Sequence, residues 1–157
     1  MSRSTIARRS RAKGQEYERR ICGMLESALR GTTWKRRIQT RGARVDGSDV
    51  EGLDQHGRPI PLWLECHNGQ QKAEVKLTQA VSEAPAGWHP IAIVHRPGTH
   101  YENDTAHLLM GDLMELSGIY SDGCLDEDGY NMAVSVGLWS LLHLLECWRK
   151  ARHGVLT

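Results

Sequence analysis

The chain has 157 residues, 39% of them hydrophobic and 25% charged, so we expect one globular domain with an ordinary core. Four scattered cysteines without a C-x-x-C pair argue against a structural zinc site. No apolar run approaches the roughly eighteen residues of a membrane span, and no signal-peptide pattern follows the N-terminus, so we expect a cytoplasmic protein. The net charge of +1 hides an asymmetry: residues 1–44 hold thirteen Lys or Arg and three Glu, whereas the remaining 113 residues hold seven and sixteen, which favours an anionic polymer as partner.

The first half of the chain predicts an arm, a helix and three meandering strands. Tyr17, Ile21, Leu25 and Leu29 recur at four-residue spacing, which is typical of one apolar helix face, and Gly31 follows it. Turn residues then separate three short strand-like segments. The predicted elements are a flexible basic arm at 1–10, a helix at 11–29 and strands at 34–45, 49–53 and 60–67.

The second half predicts a mixture of helices and buried strands. The apolar segment 90–95 is typical of a strand that is covered on both faces. The predicted elements are helices at 72–83, 111–116 and 132–152, strands at 90–95 and 105–110, and an irregular stretch at 118–130. This order indicates the α/β class, with a mixed sheet between helices and an extra C-terminal helix.

Two carboxylates near the predicted hairpin favour a divalent metal site. Asp49 begins one strand and Glu65 lies late in the next, so antiparallel pairing brings their side chains together. With the backbone carbonyl of Cys66, they offer the hard oxygen ligands that Mg²⁺ or Mn²⁺ prefers. His67 shares the strand face of Glu65. Taken alone, Asp49 also fits a turn residue, but a charge such as Glu65 inside an apolar strand needs a partner or a metal.

Three segments together resemble a known family. The helix segment from Lys13 to Arg19 is similar to the Lys-Gly-x-x-x-Glu-Arg motif of archaeal and phage Holliday-junction resolvases, which belong to the PD-(D/E)XK nuclease superfamily. Ser48-Asp49-Val50 resembles their second motif, and Glu65-Cys66-His67 resembles their Glu-x-Lys motif.

The resemblance implies a restriction-endonuclease-like mixed sheet over residues 11–117, with 118–157 adding a loop and a helix that packs on the core or at a dimer interface. It implies a Mg²⁺- or Mn²⁺-dependent endonuclease with Glu18, Asp49 and Glu65 at the metal and Gln79 in support. Without the family context, Glu18 also fits an ion pair with Arg19 or Arg20.

His67 stands where the family has lysine, and three interpretations are open. His67 acts as a neutral base or positions water, since its ordinary pKa is near neutrality. Alternatively Lys72 or Lys76 reaches in from the following helix and supplies the cation. In the third interpretation the site is weakened, which leaves a DNA-binding protein that still chelates metal.

Basic residues before Asp49 and around the predicted site are candidate phosphate contacts, although they also fit a solvated face. The candidates for DNA binding are Arg11, Lys13, Arg19, Lys35, Arg36, Arg37, Arg41, Arg44, Lys72 and Lys76. The family resemblance implies branched DNA as substrate and a homodimer, because a four-way junction has two-fold symmetry. A nicking or restriction-like nuclease acting on duplex DNA is the alternative enzyme.

Overall fold

The computed structural model describes residues 3–37, 47–119 and 126–152, and these form a six-stranded mixed sheet flanked by helices. Its strands lie in chain order, and each neighbouring pair is antiparallel except the central pair, β3 and β4. The predicted α/β class and mixed sheet are confirmed. The strands are β1 Thr33–Arg36, β2 Val50–Leu53, β3 Leu62–Asn68, β4 His89–His95, β5 Thr105–Leu109 and β6 Ala133–Gly137. The helices are α1 Arg3–Ala28, α2 Ala73–Glu83, α3 Met110–Ser117, α4 Glu127–Tyr130 and α5 Leu138–Arg152.

Helix α1 packs on the sheet through the apolar face that the sequence predicts. Tyr17, Ile21, Leu25 and Leu29 are all buried in the core. The helix begins at Arg3, so the predicted start at Arg11 is wrong. The segment from Arg3 to Ser10 contains no proline or glycine, and helix propensity extends α1 although the described side chains there are exposed.

Strand β3 is covered on both faces, as a strand at the centre of a sheet should be. Leu62, Leu64 and Cys66 belong to the core, on the face of the sheet that α1 covers. The side chains between them point to the opposite face, where α2 crosses from β3 to the parallel β4. This alternation places Glu65 under α2.

The predicted helix at 132–152 is wrong at its start. Residues Ala133–Gly137 form the edge strand β6, which pairs antiparallel with β5, and α5 begins at Leu138. Val134 and Val136 are half-buried between exposed neighbours, the period of two that marks a strand. The apolar pattern of β6 runs directly into that of α5, which hides the boundary. The leucines of α5 are buried in the core.

Two other segments differ from the sequence prediction. The irregular stretch at 118–130 contains the short helix α4, which Asp126 caps by accepting the backbone N–H of Gly129 at 2.9 Å. Strand β1 ends at Arg36, while most of the rest of the predicted strand at 34–45 lies outside the described residues. Within the described ranges, no helix has both the length and the apolar character that a bilayer crossing requires.

Candidate metal centre and nucleic-acid interface

Asp49 lies against β3 at one end of the β2–β3 hairpin. Its backbone N–H donates to the carbonyl of Leu64 at 2.9 Å, and its Oδ2 accepts the backbone N–H of Cys66 at 2.9 Å. The N–H and C=O groups of one strand residue point to the same side of the strand. The Cys66 carbonyl is therefore directed toward the side of β3 on which Asp49 lies. The structure thus brings Asp49 and Cys66 together.

Glu65 is a buried carboxylate on the α2 side of β3, with 2% of its surface exposed. Its Oε2 lies 3.3 Å from Nζ of Lys76, and the same Nζ lies 3.2 Å from Oε1 of Gln79. Burial and the nearby charge of Asp49 raise the pKa of Glu65 to about 7, although Lys76 acts in the opposite direction. Glu65, Lys76 and Gln79 therefore form one polar cluster under α2.

Glu18 approaches the same site from α1. Its carboxylate lies 3.5 Å from the guanidinium of Arg36, and both side chains are 19% exposed. Burial, and then the charge of Asp49, raise the pKa of Glu18, whereas Arg36 lowers it. The sequence suggested an ion pair of Glu18 with Arg19 or Arg20, but Arg19 pairs with Glu16 at 3.3 Å and Arg20 lies over the Tyr101 ring.

These carboxylates are the type of ligand that a hard divalent cation prefers. Asp49 raises the pKa of both Glu18 and Glu65, so negative charge is concentrated at this end of the sheet. A cation between them would relieve that repulsion and keep them ionised. In the part of the chain that the structure describes, no three His, Cys, Asp or Glu side chains form a ready-made metal site. Binding therefore requires movement of these side chains toward one another.

The His67 side chain forms a hydrogen bond with the turn that leads into α2. Its Nε2 accepts the backbone N–H of Gln71 at 3.3 Å, which places the ring proton on Nδ1. The ring lies over Gly69, where an added Cβ would be 2.7 Å from Nε2. Burial, and then the positive charge of Lys76, lower the pKa of His67. In this arrangement the histidine is neutral and its basic nitrogen is occupied.

The basic residues divide into two groups. Arg36 and Lys76 contact the site carboxylates Glu18 and Glu65, and Arg37 lies 3.1 Å from Glu51 on β2. The remaining candidates for DNA binding in the described ranges have exposed side chains; they are Arg11, Lys13, Arg19, Lys35 and Lys72. Arg41 and Arg44 lie outside the described residues.

One buried cluster near the site was missed by sequence reasoning. Asp104 has no exposed side-chain surface and contacts both Tyr17 and His95. The sequence places Asp104 in a polar loop and shows no metal spacing around His95. Tyr17 lies 87 positions before Asp104, so their hydrogen bond leaves no local pattern in the sequence.

No protein-family model matches this sequence, and no curated protein matches it significantly. Among solved structures, the chain is similar to Hjc of Archaeoglobus fulgidus, a Holliday junction resolvase from an archaeal hyperthermophile. The two share 13% sequence identity with a TM-score of 0.45, and the alignment covers 82% of this chain and 99% of that chain.

Proposed function

We propose that this protein is a divalent-metal-dependent endonuclease that acts on DNA, with four-way junctions as the leading substrate. The observation that carries the proposal is the convergence of Asp49 and Glu65 at one end of the β2–β3 hairpin. Asp49 is hydrogen-bonded to the backbone of the residue that follows Glu65, and its charge raises the pKa of Glu65.

The proposed ligands are Asp49, Glu65 and the Cys66 carbonyl, with Glu18 assisting from α1. Mg²⁺ or Mn²⁺ held by these residues would supply Lewis acidity toward a phosphate oxygen and would lower the pKa of a water. Asp49 is already oriented by the backbone N–H of Cys66. Burial of Glu65 excludes bulk water from one side of the site, which strengthens its interaction with a cation.

Lys76 is the best candidate for the cationic role that lysine has in the family motif. Its ammonium lies at the Glu65 carboxylate, its side chain is 15% exposed, and Gln79 holds it from the next turn of α2. Placed there, it can orient water and stabilise negative charge that develops on the phosphate. Of the three interpretations of His67, this arrangement favours the second, because the basic nitrogen of His67 is bonded to the turn.

The proposed substrate follows from charge and from the motif resemblance. Exposed Arg11, Lys13 and Lys35 add positive charge on the elements that carry Glu18 and Arg36. Contacts of this kind recognise the backbone and the shape of DNA and not its bases. The symmetry of a four-way junction makes a homodimer the expected assembly.

Cleavage of matched substrates by the Glu65→Gln variant tests the proposal. Four-way junction, flap and linear duplex are incubated with Mg²⁺ or Mn²⁺, and binding is measured separately without metal. We expect wild-type cleavage to be strongest on the junction, and Glu65→Gln to lose cleavage while retaining binding. Glu74→Gln, which removes an exposed carboxylate from α2, is the matched control. Full cleavage by Glu65→Gln would reject the assignment, and preference for linear duplex would favour a restriction-like nuclease.

The second candidate is a DNA-binding protein with a weakened site. It is supported by the ion pair between Lys76 and Glu65, which already neutralises one of the proposed ligands. Tight, salt-sensitive junction binding without metal-dependent cleavage between about pH 6 and about pH 9 would establish it.

A further inference from the structure

A buried hydrogen-bond cluster joins α1, the end of β4 and the start of β5. The Tyr17 hydroxyl donates to Oδ2 of Asp104 at 2.8 Å, and Nδ1 of His95 lies 2.6 Å from Oδ1. The carbonyl of Asp104 also accepts the backbone N–H of Leu138 at 2.9 Å. One residue thus connects α1, β4 and the first residue of α5.

Aromatic packing completes the cluster. The rings of His95 and Tyr101 are stacked with centroids 4.3 Å apart, and Tyr17 lies 5.6 Å from His95. The guanidinium of Arg20 lies over the Tyr101 ring, 4.0 Å from its centroid. Tyr17 and Asp104 are each 1% exposed, so their hydrogen bond is not weakened by competition with water.

Tyr17 immediately precedes Glu18, the carboxylate that α1 directs toward Asp49. The described contact that holds the Glu18 side chain is a 3.5 Å ion pair with Arg36, which is partly exposed. At 3.5 Å this pair is longer than a close charge-assisted hydrogen bond, so it fixes the carboxylate loosely. The buried bond from Tyr17 to Asp104, at 2.8 Å, adds a directional constraint on the rotation of α1 to the packing of its apolar face.

We infer that Asp104 is a positioning residue that acts through the Tyr17 hydroxyl to hold Glu18 beside Asp49. The inference rests on the proposed metal site, because it assigns a part in metal binding to Asp104, which is not itself a proposed ligand. A carboxylate that moves by about 1 Å loses much of its value as a ligand or as an electrostatic partner.

Tyr17→Phe is the direct test, since it removes one hydroxyl and keeps the ring. Tyr101→Phe is the matched control, because it removes a hydroxyl from the same aromatic cluster and leaves the side-chain bonds of Asp104 intact. Two quantities are measured on the full chain: Mn²⁺ affinity by titration calorimetry, and the pKa of Glu18 by carbon-detected NMR without metal. We expect Tyr17→Phe to weaken Mn²⁺ binding about tenfold and to lower the pKa of Glu18, with neither change in Tyr101→Phe.

A double-mutant cycle separates positioning from general loss of structure. If Tyr17 acts through Glu18, Tyr17→Phe should change Mn²⁺ affinity by less than about twofold in a Glu18→Gln background. Asp104→Ala, which removes both carboxylate oxygens and with them the acceptor of the Tyr17 hydroxyl, should weaken Mn²⁺ binding at least as much as Tyr17→Phe does.

Unchanged Mn²⁺ affinity and an unchanged Glu18 pKa in Tyr17→Phe would overturn the inference, and so would additive effects in the cycle. Failure of the wild-type protein to bind Mn²⁺ would instead reject the proposed metal site. The Glu18 pKa would still show whether Tyr17 holds this carboxylate near Asp49.

Discussion

Lys76 lies with its ammonium nitrogen 3.3 Å from Oε2 of Glu65, on the face of β3 that α2 covers. Gln79 lies one turn after Lys76 on α2, and its side-chain oxygen accepts a hydrogen bond from the same ammonium. A lysine therefore stands at the acidic site although the strand motif ends in histidine.

Lys76→Met should lower the rate of DNA cleavage by about 10²–10³-fold, because it removes the cation proposed to stabilise charge on the phosphate. Single-turnover cleavage of a four-way junction measures the loss, and circular dichroism checks folding. Lys150→Met is the matched control, since it breaks an exposed lysine–carboxylate pair on α5. Undiminished cleavage by folded Lys76→Met would return the role to His67 or to another cation.

His67→Ala should reduce cleavage far less than Lys76→Met, and should lower the free energy of unfolding by about 1 kcal/mol through loss of the bond from Gln71. Urea denaturation and the cleavage assay measure the two effects. A loss of cleavage as large as that in Lys76→Met would show that histidine takes part in the chemistry.

Gly69→Ala should destabilise the protein by about 1–3 kcal/mol, because the new Cβ would meet His67 Nε2 at 2.7 Å. The cost should shrink in a His67→Ala background, where that contact is absent. Equal costs in both backgrounds, measured by urea denaturation, would mean that the ring does not lie over this turn.

Without metal, the stability of the protein should fall as the pH rises from about 4.5 to about 7. Glu65 has an ordinary pKa of 4.5 in the unfolded chain and a pKa of about 7 in the folded protein. Between these values the folded state retains a proton that the unfolded state has lost, so raising the pH favours unfolding, by an amount on the order of 2 kcal/mol. Denaturation of wild type and Glu65→Gln across this range measures the difference. Identical pH profiles would contradict the raised pKa.

Mg²⁺ or Mn²⁺ should raise the unfolding temperature, because a ligand that binds only the folded state stabilises it, by about 2.7 kcal/mol at a hundred times its Kd. The effect should weaken near pH 5, where Glu65 is protonated, and should disappear with excess EDTA. Asp49→Asn should abolish it, whereas Asp128→Asn, at an exposed carboxylate in α4, should not. A metal-induced shift retained in Asp49→Asn would place the ion elsewhere.

The sequence alone determined the elements whose residues carry a local period. Tyr17, Ile21, Leu25 and Leu29 mark the buried face of α1, and the alternation through Glu65 marks β3, because helix and strand geometry repeat over a few residues. The charge at Glu65 inside an apolar strand likewise predicted a partner or a metal, and Lys76 is a partner in the structure. The apolar pattern of strand β6 runs without a break into that of helix α5. There the sequence predicted a single helix, and the prediction was wrong.

Only the tertiary structure decided which side chains complete the site. Lys76 reaches Glu65 because the crossover helix α2 packs over β3. Tyr17 reaches Asp104 across 87 positions because α1 packs on the sheet with the Tyr17 ring beside His95. These contacts depend on how helices are placed on the sheet, which is set by the packing of the whole core and not by neighbours in sequence. The motif located the acidic strand, and the packing of α2 placed a lysine beside it.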